Sequence, residues 1–275
     1  MVTTSVGRIL LVRDRFLGRI PWSIRAKPLG PGFSRHAIPS GNNLLDAVLA
    51  MPEAHAPRAS LLICHGIGET VQHYRIVQQM LAASGVAALV FDYSGYGRSS
   101  GYFSASQAER DAAAAFRFLE KRIAPLPVSV LGFSLGSGIA CANLREVPVH
   151  RLVLCAAFTS LRKAAVSVGI PKAVASLVPP IWDAEDALRT TPVPVLVVHG
   201  EKDRLFPVRM AEELASYCRG CFELALVPNL AHNQPFRHPE QSYWGRIAAW
   251  IARSECEKGA ELRPAAQEDR VTSGL

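Results

Sequence analysis

The sequence predicts an α/β domain with a mostly parallel central sheet and helices on both faces. From residue 60 onward, short runs of continuous apolar residues alternate with helical patterns. Strands that are apolar throughout are covered on both faces, as in a parallel sheet flanked by helices. The regular alternation of the two patterns indicates a doubly wound architecture.

The elements can be placed in chain order. Two strands linked by a Ser-Gly-Asn turn are expected to form an antiparallel edge, at 34–38 and 44–49. Six apolar, β-branched runs predict the parallel strands, at 61–64, 86–91, 128–131, 152–155, 195–198 and 224–227. Helical patterns lie between and after these runs, at 71–83, 108–121, 135–144, 208–217 and 241–253. Small residues in 135–144 let that helix pack closely on the sheet.

The chain is expected to divide into three parts. Residues 1–32 form a basic N-terminal extension, 33–253 form the α/β domain, and 254–275 form a polar tail that is expected to be disordered. Within the domain, 158–186 interrupts the alternation and contains three prolines. An insertion of this size predicts a short cap over a site at the strand ends.

The positive charge is concentrated near the N-terminus. Residues 1–35 contain seven basic residues and one acid, which account for +6 of the net charge of +7. The rest of the chain is nearly neutral, so a nucleic-acid partner is not expected.

Apolar residues and arginines alternate at helical spacing between 6 and 20, which leaves three alternatives open for this segment. The segment packs on the domain, contacts an anionic membrane surface or acts as a presequence, or is disordered.

Composition indicates a folded protein of a reducing compartment. Hydrophobic residues make up 49% and charged residues 19%, and no apolar run approaches the ~18–20 residues that a membrane-spanning helix requires. The six cysteines are scattered, which argues against a disulfide framework and favours a cytoplasmic location. The one close pair, Cys218 and Cys221, is interpreted as a helix end capped by Gly220 rather than as a metal or redox site.

A nucleophile motif follows the predicted strand at 128–131. Gly132-Phe133-Ser134-Leu135-Gly136 matches G-x-S-x-G, which would arise by chance about 0.1 times in a chain of this length. A strand that turns sharply into a helix excludes bulky neighbours, so glycines flank the serine. The turn raises the Ser134 hydroxyl above the sheet and directs the Leu135 N–H towards a developing oxyanion.

A base and an orienting acid follow later in the chain. A serine nucleophile needs a histidine base and a carboxylate that orients it. Asp203 lies on the loop after the strand at 195–198, and His232 lies on the loop after the strand at 224–227. The order Ser, Asp, His and both loop positions fit this chemistry. His238 is the alternative base, and the alternative acids are Glu201, Asp183 and Asp186.

The second oxyanion donor is expected in the loop that follows the strand at 61–64. This loop is His65-Gly66-Ile67-Gly68, whose glycines allow a backbone N–H to face the site. Ile67 is the preferred donor, and Gly66 and Gly68 are the alternatives. His65 precedes the tight turn directly, so it is interpreted as a structural, hydrogen-bonded histidine rather than a second base.

These motifs together resemble those of the α/β-hydrolase superfamily over about residues 33–253. The resemblance rests on five signatures in family order: 65–68, 91–99, 132–136, 199–203 and His232. Within the superfamily the chain is similar to the Bem46-like and related short-capped acyl hydrolases. The resemblance implies an α/β-hydrolase fold, and it implies a structural role for Asp92. Ala231 departs from the glycine that commonly precedes the histidine.

The sequence therefore predicts a serine hydrolase that cleaves a carboxylic ester or thioester through an acyl-enzyme. Serine at the motif disfavours dehalogenase and epoxide hydrolase chemistry, which use a carboxylate nucleophile. No metal and no organic cofactor are expected, and the expected partner is a small-molecule ester or thioester. A peptidase or amidase with the same triad and a non-catalytic binding module on this scaffold are the alternatives.

Overall fold

The structure is a computed structural model that describes residues 29–253. The amphipathic segment at 6–20 and the tail at 254–275 lie outside the described residues. One eight-stranded sheet organises the described chain, in the order β1-β2-β4-β3-β5-β6-β7-β8. Its strands are β1 (Phe33–Ser40), β2 (Asn43–Ala50), β3 (Ala59–Cys64), β4 (Val86–Phe91), β5 (Val128–Phe133), β6 (Leu152–Cys155), β7 (Val195–Gly200) and β8 (Phe222–Val227).

The sheet is parallel except at one edge. Strands β3 to β8 pair in parallel, whereas β2 pairs antiparallel with both β1 and β4. This agrees with the predicted antiparallel edge and the six predicted parallel strands. All residues of β3, β4, β5 and β7 are buried, because helices cover both faces.

The helices divide between the two faces. They are α1 (Arg75–Ala83), α2 (Ala105–Ile123), α3 (Leu135–Ala142), α4 (Leu161–Ser167), α5 (Lys172–Ala175), α6 (Ala184–Thr190), α7 (Val208–Tyr217), α8 (Gln234–Arg237) and α9 (Gln241–Ile251). Alternate residues of β3 point to opposite sides. Leu62 joins the core cluster that contains α2, α3 and α7, and Leu61 joins the one that contains α1 and α9.

Between β6 and β7 the chain forms the helices α4, α5 and α6 instead of a single crossover helix. The first two lie within the insertion predicted at 158–186. Helix α6 extends beyond it to Thr190, and its N-cap is Asp183, whose carboxylate accepts a hydrogen bond from the Glu185 N–H. Trp182 and Phe158, near the two ends of the insertion, pack against Gly138 of α3. The insertion is therefore fixed to the helix that follows the nucleophile motif.

One cysteine forms a disulfide bond, which the scatter of the cysteines along the chain did not predict. Cys221 is disulfide-bonded, whereas Cys64, Cys141, Cys155 and Cys218 are free. Scatter along the chain indicates the absence of a disulfide framework but does not exclude a single bridge. Helix α7 ends with Cys218 as its C-cap rather than with Gly220. Within residues 29–253, the structure contains no helix with the length and apolar character needed to cross a membrane.

Candidate active site

Ser134 lies on a sharp turn between β5 and α3. Its backbone has φ 51° and ψ −114°, a conformation that residues with a side chain rarely adopt. A Cβ atom at Gly132 would lie 2.5 Å from Cα of Ser137, and one at Gly136 would overlap the carbonyl oxygen of Cys64. Glycine is therefore required on both sides of the serine, as the motif predicts.

The structure brings Ser134, His232 and Asp203 together. His232 Nε2 lies 3.0 Å from Ser134 Oγ, and His232 Nδ1 lies 2.7 Å from Asp203 Oδ2. All three residues are buried, with at most 9% of each exposed. Residues separated by up to 98 positions in the chain thus form one continuous hydrogen-bonded series.

The charge of Asp203 sets the direction of these hydrogen bonds. Burial raises the pKa of Asp203, but the hydrogen bond and charge of His232 and the backbone N–H groups of Phe206 and Leu205 hold it below its ordinary value. An ionised carboxylate only accepts hydrogen bonds. His232 Nδ1 therefore donates to Asp203, which leaves Nε2 free to accept the proton of the Ser134 hydroxyl.

Neighbouring groups fix the carboxylate and the imidazole in place. Asp203 Oδ1 accepts hydrogen bonds from the N–H groups of Leu205, at 2.8 Å, and Phe206, at 2.9 Å. His199, which is buried at the end of β7, donates from Nε2 to the carbonyl oxygen of Phe206 at 3.0 Å. The ring of Phe206 in turn meets His232 edge-on, with 5.2 Å between centroids. The sequence pattern placed His199 within a motif but did not reveal this supporting role.

The predicted oxyanion donors lie on adjacent elements. Leu135 is the first residue of α3, so its N–H has no acceptor within the helix. The β3 loop passes beside this first turn, since Gly136 abuts the backbone of Cys64 and His65. Of the alternatives in that loop, the Gly66 N–H donates to Glu69 Oε2 at 2.9 Å. Ile67 and Gly68 therefore remain as candidate second donors.

Glu69 braces this loop and was missed in the sequence. Its Oε2 accepts hydrogen bonds from the Gly66 N–H and, at 2.5 Å, from the Tyr74 hydroxyl. Burial raises the pKa of Glu69, while these two hydrogen bonds and the nearby His73 and His232 oppose the rise. The only sequence signal is an acid directly after a glycine loop. It is a weak signal, because Tyr74 reaches Glu69 only once the chain has turned into α1.

The other residues weighed for the site have separate contacts. Asp183 caps α6, and Asp186 pairs with Arg145 at 2.8 Å. Glu201 is exposed, and His238 lines a cavity of about 350 Å³ whose described lining does not include Ser134. His65 is fully buried, and its Nδ1 donates to the Gly66 carbonyl oxygen at 2.9 Å, which agrees with its interpretation as structural.

The three residues offer a hydroxyl, an imidazole and a carboxylate, with backbone N–H groups beside them. Across the part of the chain that the structure describes, no group of three or more His, Cys, Asp or Glu residues could hold a metal ion.

The fold defines the class of this protein: it has the α/β-hydrolase fold. The family described as serine aminopeptidase, S33, matches residues 55–184. An uncharacterized protein of Mycobacterium tuberculosis, Rv2307c, is 28% identical over 179 residues, which cover 64% of this chain and 63% of that protein. The lysophosphatidylserine lipase ABHD12 of Danio rerio is 27% identical over 207 residues, which cover 65% of this chain and 53% of the lipase. The chain thus spans less than two thirds of these relatives.

Solved structures share the fold over most of the chain. The esterase domain of a Rhodothermus marinus protein aligns with TM-score 0.64 at 20% identity, covering 80% of this chain and 98% of that domain. Est1E of Butyrivibrio proteoclasticus, with ferulic acid bound, aligns with TM-score 0.65 at 20% identity, covering 78% and 98%. At 20% identity, this likeness shows a shared fold alone.

Proposed function

We propose that this protein is a serine hydrolase that cleaves a carboxylic ester or thioester through an acyl-enzyme. The observation that carries the proposal is the hydrogen-bonded series from Ser134 through His232 to Asp203, placed on a strained turn at the start of a helix. A buried serine, a histidine and an ionised carboxylate in this order are the components of nucleophilic acyl transfer. A binding module would need none of them in this geometry.

Acylation begins when Ser134 Oγ attacks the carbonyl carbon and its proton passes to His232 Nε2. Asp203 stabilises the imidazolium that forms. The N–H groups of Leu135 and Ile67 donate to the oxyanion, and each donor contributes roughly 3–4 kcal/mol. The tetrahedral intermediate then collapses, the bond to the leaving group breaks, and His232 transfers its proton to the departing alcohol or thiol.

Deacylation repeats these steps with water. His232 Nε2 removes a proton from a water molecule as its oxygen attacks the Ser134 acyl carbon. The second tetrahedral intermediate breaks the bond to Ser134 Oγ, and the proton returns to that oxygen. The products are a carboxylic acid and the free enzyme, so no cofactor is consumed.

The comparisons favour an ester over other acyl substrates. Among curated relatives, the ABHD12 protein of Danio rerio is named a lysophosphatidylserine lipase, and lipases act on esters. The structures of similar fold include a Rhodothermus marinus esterase domain. We infer the reaction type from these names together with the triad geometry, and both the acyl chain and the alcohol of the substrate are left to experiment.

A fluorophosphonate probe and a p-nitrophenyl ester series test the proposal. Wild-type protein is expected to form a covalent adduct at Ser134, detected by mass spectrometry of the peptide, and to hydrolyse the esters. Ser134→Ala is expected to lose both the adduct and at least ~10³-fold of kcat. Ser137→Ala is the matched control, because Ser137 Oγ is bonded to the Ser134 carbonyl oxygen rather than to His232. An unlabelled, inactive wild-type protein would support a binding module instead.

Amide hydrolysis is the second candidate, because the family that matches residues 55–184 is described as a serine aminopeptidase. The triad does not distinguish an alcohol from an amine leaving group. Aminoacyl p-nitroanilides, assayed beside the esters, separate the two functions. Ester turnover without anilide turnover supports the esterase, and efficient release of p-nitroaniline supports the peptidase.

A further inference from the structure

The helices α4 and α5 expose large aliphatic side chains. Val166 and Val168 are each 36% exposed, Val174 is 42% exposed and Leu177 is 74% exposed. We call these four residues the apolar cap surface. They lie between positions 166 and 177, and α4 and α5 share one buried cluster, so the four exposed side chains belong to one part of the surface. Clustered apolar exposure on a folded domain marks an interaction site more often than isolated exposure does.

The inner contacts of the same segment centre on a small buried cluster, against which Leu161 and Ile170 pack while partly buried. Ala165, Ala175 and Val178 form a small buried cluster that is separate from the two main cores. Burial alone would favour the larger residues on the inside, since the hydrophobic effect grows with the apolar area removed from water. The segment nevertheless leaves Leu177 and three valines exposed, which favours an external partner for the apolar cap surface.

The charge of this segment identifies the chemistry of that partner. Residues 161–178 contain three exposed cations, Arg162, Lys163 and Lys172, and no acidic residue. Lys163 pairs with Glu213 of α7 at 2.8 Å, so Arg162 and Lys172 supply the positive charge that this segment presents. Exposed aliphatic side chains interspersed with cations match the boundary of a lipid layer, where acyl chains lie beneath headgroups. Anionic headgroups complement the cations.

The apolar cap surface is connected to the triad through packed side chains. Phe158, three residues before α4, contacts the ring of Phe206 edge-on at 5.6 Å, and Phe206 contacts His232 at 5.2 Å. Trp182 lies against Gly138, in the helix that Ser134 begins. A lipid layer in contact with α4 and α5 would therefore lie beside the part of the molecule that contains the nucleophile.

We propose that the apolar cap surface docks the protein on a lipid layer with anionic headgroups and that its ester substrate is a lipid drawn from that layer. The substrate part of this inference rests on the proposed function. The docking part does not, because it follows from the exposure and charge of residues 161–178.

Vesicle co-sedimentation of the full chain tests the docking. Wild type, Val174→Ser/Leu177→Ser and the control Leu44→Ser/Ile76→Ser are mixed with phosphatidylcholine vesicles that contain or lack phosphatidylglycerol. Leu44 and Ile76 are 53% and 54% exposed and lie outside the cap, in β2 and α1. The basic N-terminal extension is the same in all three proteins, so its own attraction to anionic lipid cancels in the comparison.

We expect the cap variant to bind the anionic vesicles at least fivefold more weakly than wild type, and the control variant to bind like wild type. Equal binding by all three proteins would overturn docking through the cap, and so would a wild-type protein that does not bind vesicles. Equal binding to both vesicle types would overturn the requirement for anionic headgroups.

Hydrolysis assays separate this inference from the proposed function. All three proteins are expected to hydrolyse a soluble short-chain p-nitrophenyl ester at the same rate, because the substitutions lie outside the triad. Only the cap variant is expected to lose activity, again at least fivefold, on a long-chain ester carried in the anionic vesicles. Failure of the soluble assay in wild type would contradict the proposed function, whereas equal activity of all three on vesicle-borne ester would contradict the substrate inference.

Discussion

At Ser134 the strained backbone conformation determines where the side-chain hydroxyl lies. A φ of 51° costs a residue other than glycine roughly 1–3 kcal/mol, and such strain persists only where the surroundings enforce it. Here the enforcing contacts are the close approach of β5 to α3 and the hydrogen bond of the hydroxyl to His232. The strain places the Ser134 hydroxyl at a helix N-terminus, where a negative charge that develops nearby would be stabilised.

Asp203→Asn is expected to lower kcat by about 10³–10⁴-fold with little loss of stability. An amide oxygen can still accept the N–H groups of Leu205 and Phe206, so the loop keeps its shape. An amide that donates to His232 Nδ1 fixes the wrong tautomer, which leaves a proton on Nε2 and removes the base. Ester turnover and thermal unfolding of the variant provide the measurement.

Glu201→Gln is the control for this substitution, because Glu201 is an exposed acid two residues away. It is expected to keep kcat within about twofold of wild type, in line with the small effects of exposed charges. If Glu201→Gln were inactive and Asp203→Asn active, the assignment of the orienting acid would be wrong.

Glu69→Ala is expected to lower kcat about tenfold while KM changes by less than about twofold, because it loosens the oxyanion loop rather than substrate binding. Both donors, the Gly66 N–H and the Tyr74 hydroxyl, bond to the same carboxylate oxygen. An amide oxygen can accept both, so Glu69→Gln is expected to recover most of the activity. Steady-state kinetics of the two variants checks this, and equal loss in both would argue against bracing by hydrogen bonds.

Sequence reasoning named the three side chains that the structure brings together, but not the residues that support them. Ser134, Asp203 and His232 follow strand ends in a motif order, so the one-dimensional pattern is enough to name them. The Glu69–Tyr74 hydrogen bond depends on how a loop turns into a helix, and no residue type at that spacing requires it. The same holds for the contact between Phe206 and His232.

At the scale of elements, the turn between β5 and α3 packs closely against the end of β3. Gly136→Ala would place a Cβ atom on the Cys64 carbonyl oxygen, a backbone atom that cannot move alone. We expect a loss of about 1–3 kcal/mol or more, since a forced shift of packed elements costs this much. Gly245→Ala, in α9, has its nearest neighbour at 3.7 Å and is expected to gain about 0.5–1 kcal/mol from helix propensity. Thermal unfolding midpoints should therefore shift in opposite directions, and equal shifts would contradict the packing argument.

Strands and helices with long apolar patterns were predicted from the sequence, and very short helices were not. The strands from β3 to β8 are largely apolar runs, and a buried run of that length between helical patterns has few alternatives. Helices α5 and α8 span four residues each, too few for a periodic pattern, and both follow from local contacts. The disulfide at Cys221 is a tertiary contact, which the spacing of cysteines along the chain does not encode.

At the scale of the whole molecule, parallel strands bring the site to one edge of the sheet. Ser134, Asp203 and His232 follow β5, β7 and β8, whose carboxyl ends lie at the same edge because these strands are parallel. The sequence predicted the three residues from their order and from their positions on loops that follow predicted strands. The strand order, with β3 between β4 and β5, is set by crossovers and was not predicted.

Two buried titratable groups, His65 and Asp92, have opposite effects on how the free energy of unfolding changes with pH in acid. Burial lowers the pKa of His65 to about 4, and burial also raises the pKa of Asp92 to about 7. His65 alone makes the fold less stable as the pH falls from 6.5 towards 4, because only the unfolded chain then takes up its proton. Asp92 alone makes the fold more stable over the same range, because only the folded chain then takes up its proton. The two contributions to the slope cancel between about pH 4 and 6.5.

Asp92→Asn is therefore expected to make the protein more sensitive to acid. The variant keeps an oxygen that can accept the Val71 N–H, now bonded to Asp92 Oδ1 at 2.8 Å, but it no longer takes up a proton on folding. The effect of His65 is then uncompensated, and the free energy of unfolding should fall by up to about 1.4 kcal/mol more per pH unit than in wild type. Denaturant unfolding of both proteins at pH 6.5, 5.5 and 4.5 measures the two slopes. Because the slope is compared and not the absolute stability, a general weakening by the substitution does not affect the result, and parallel slopes would show that the two burial effects are not opposed.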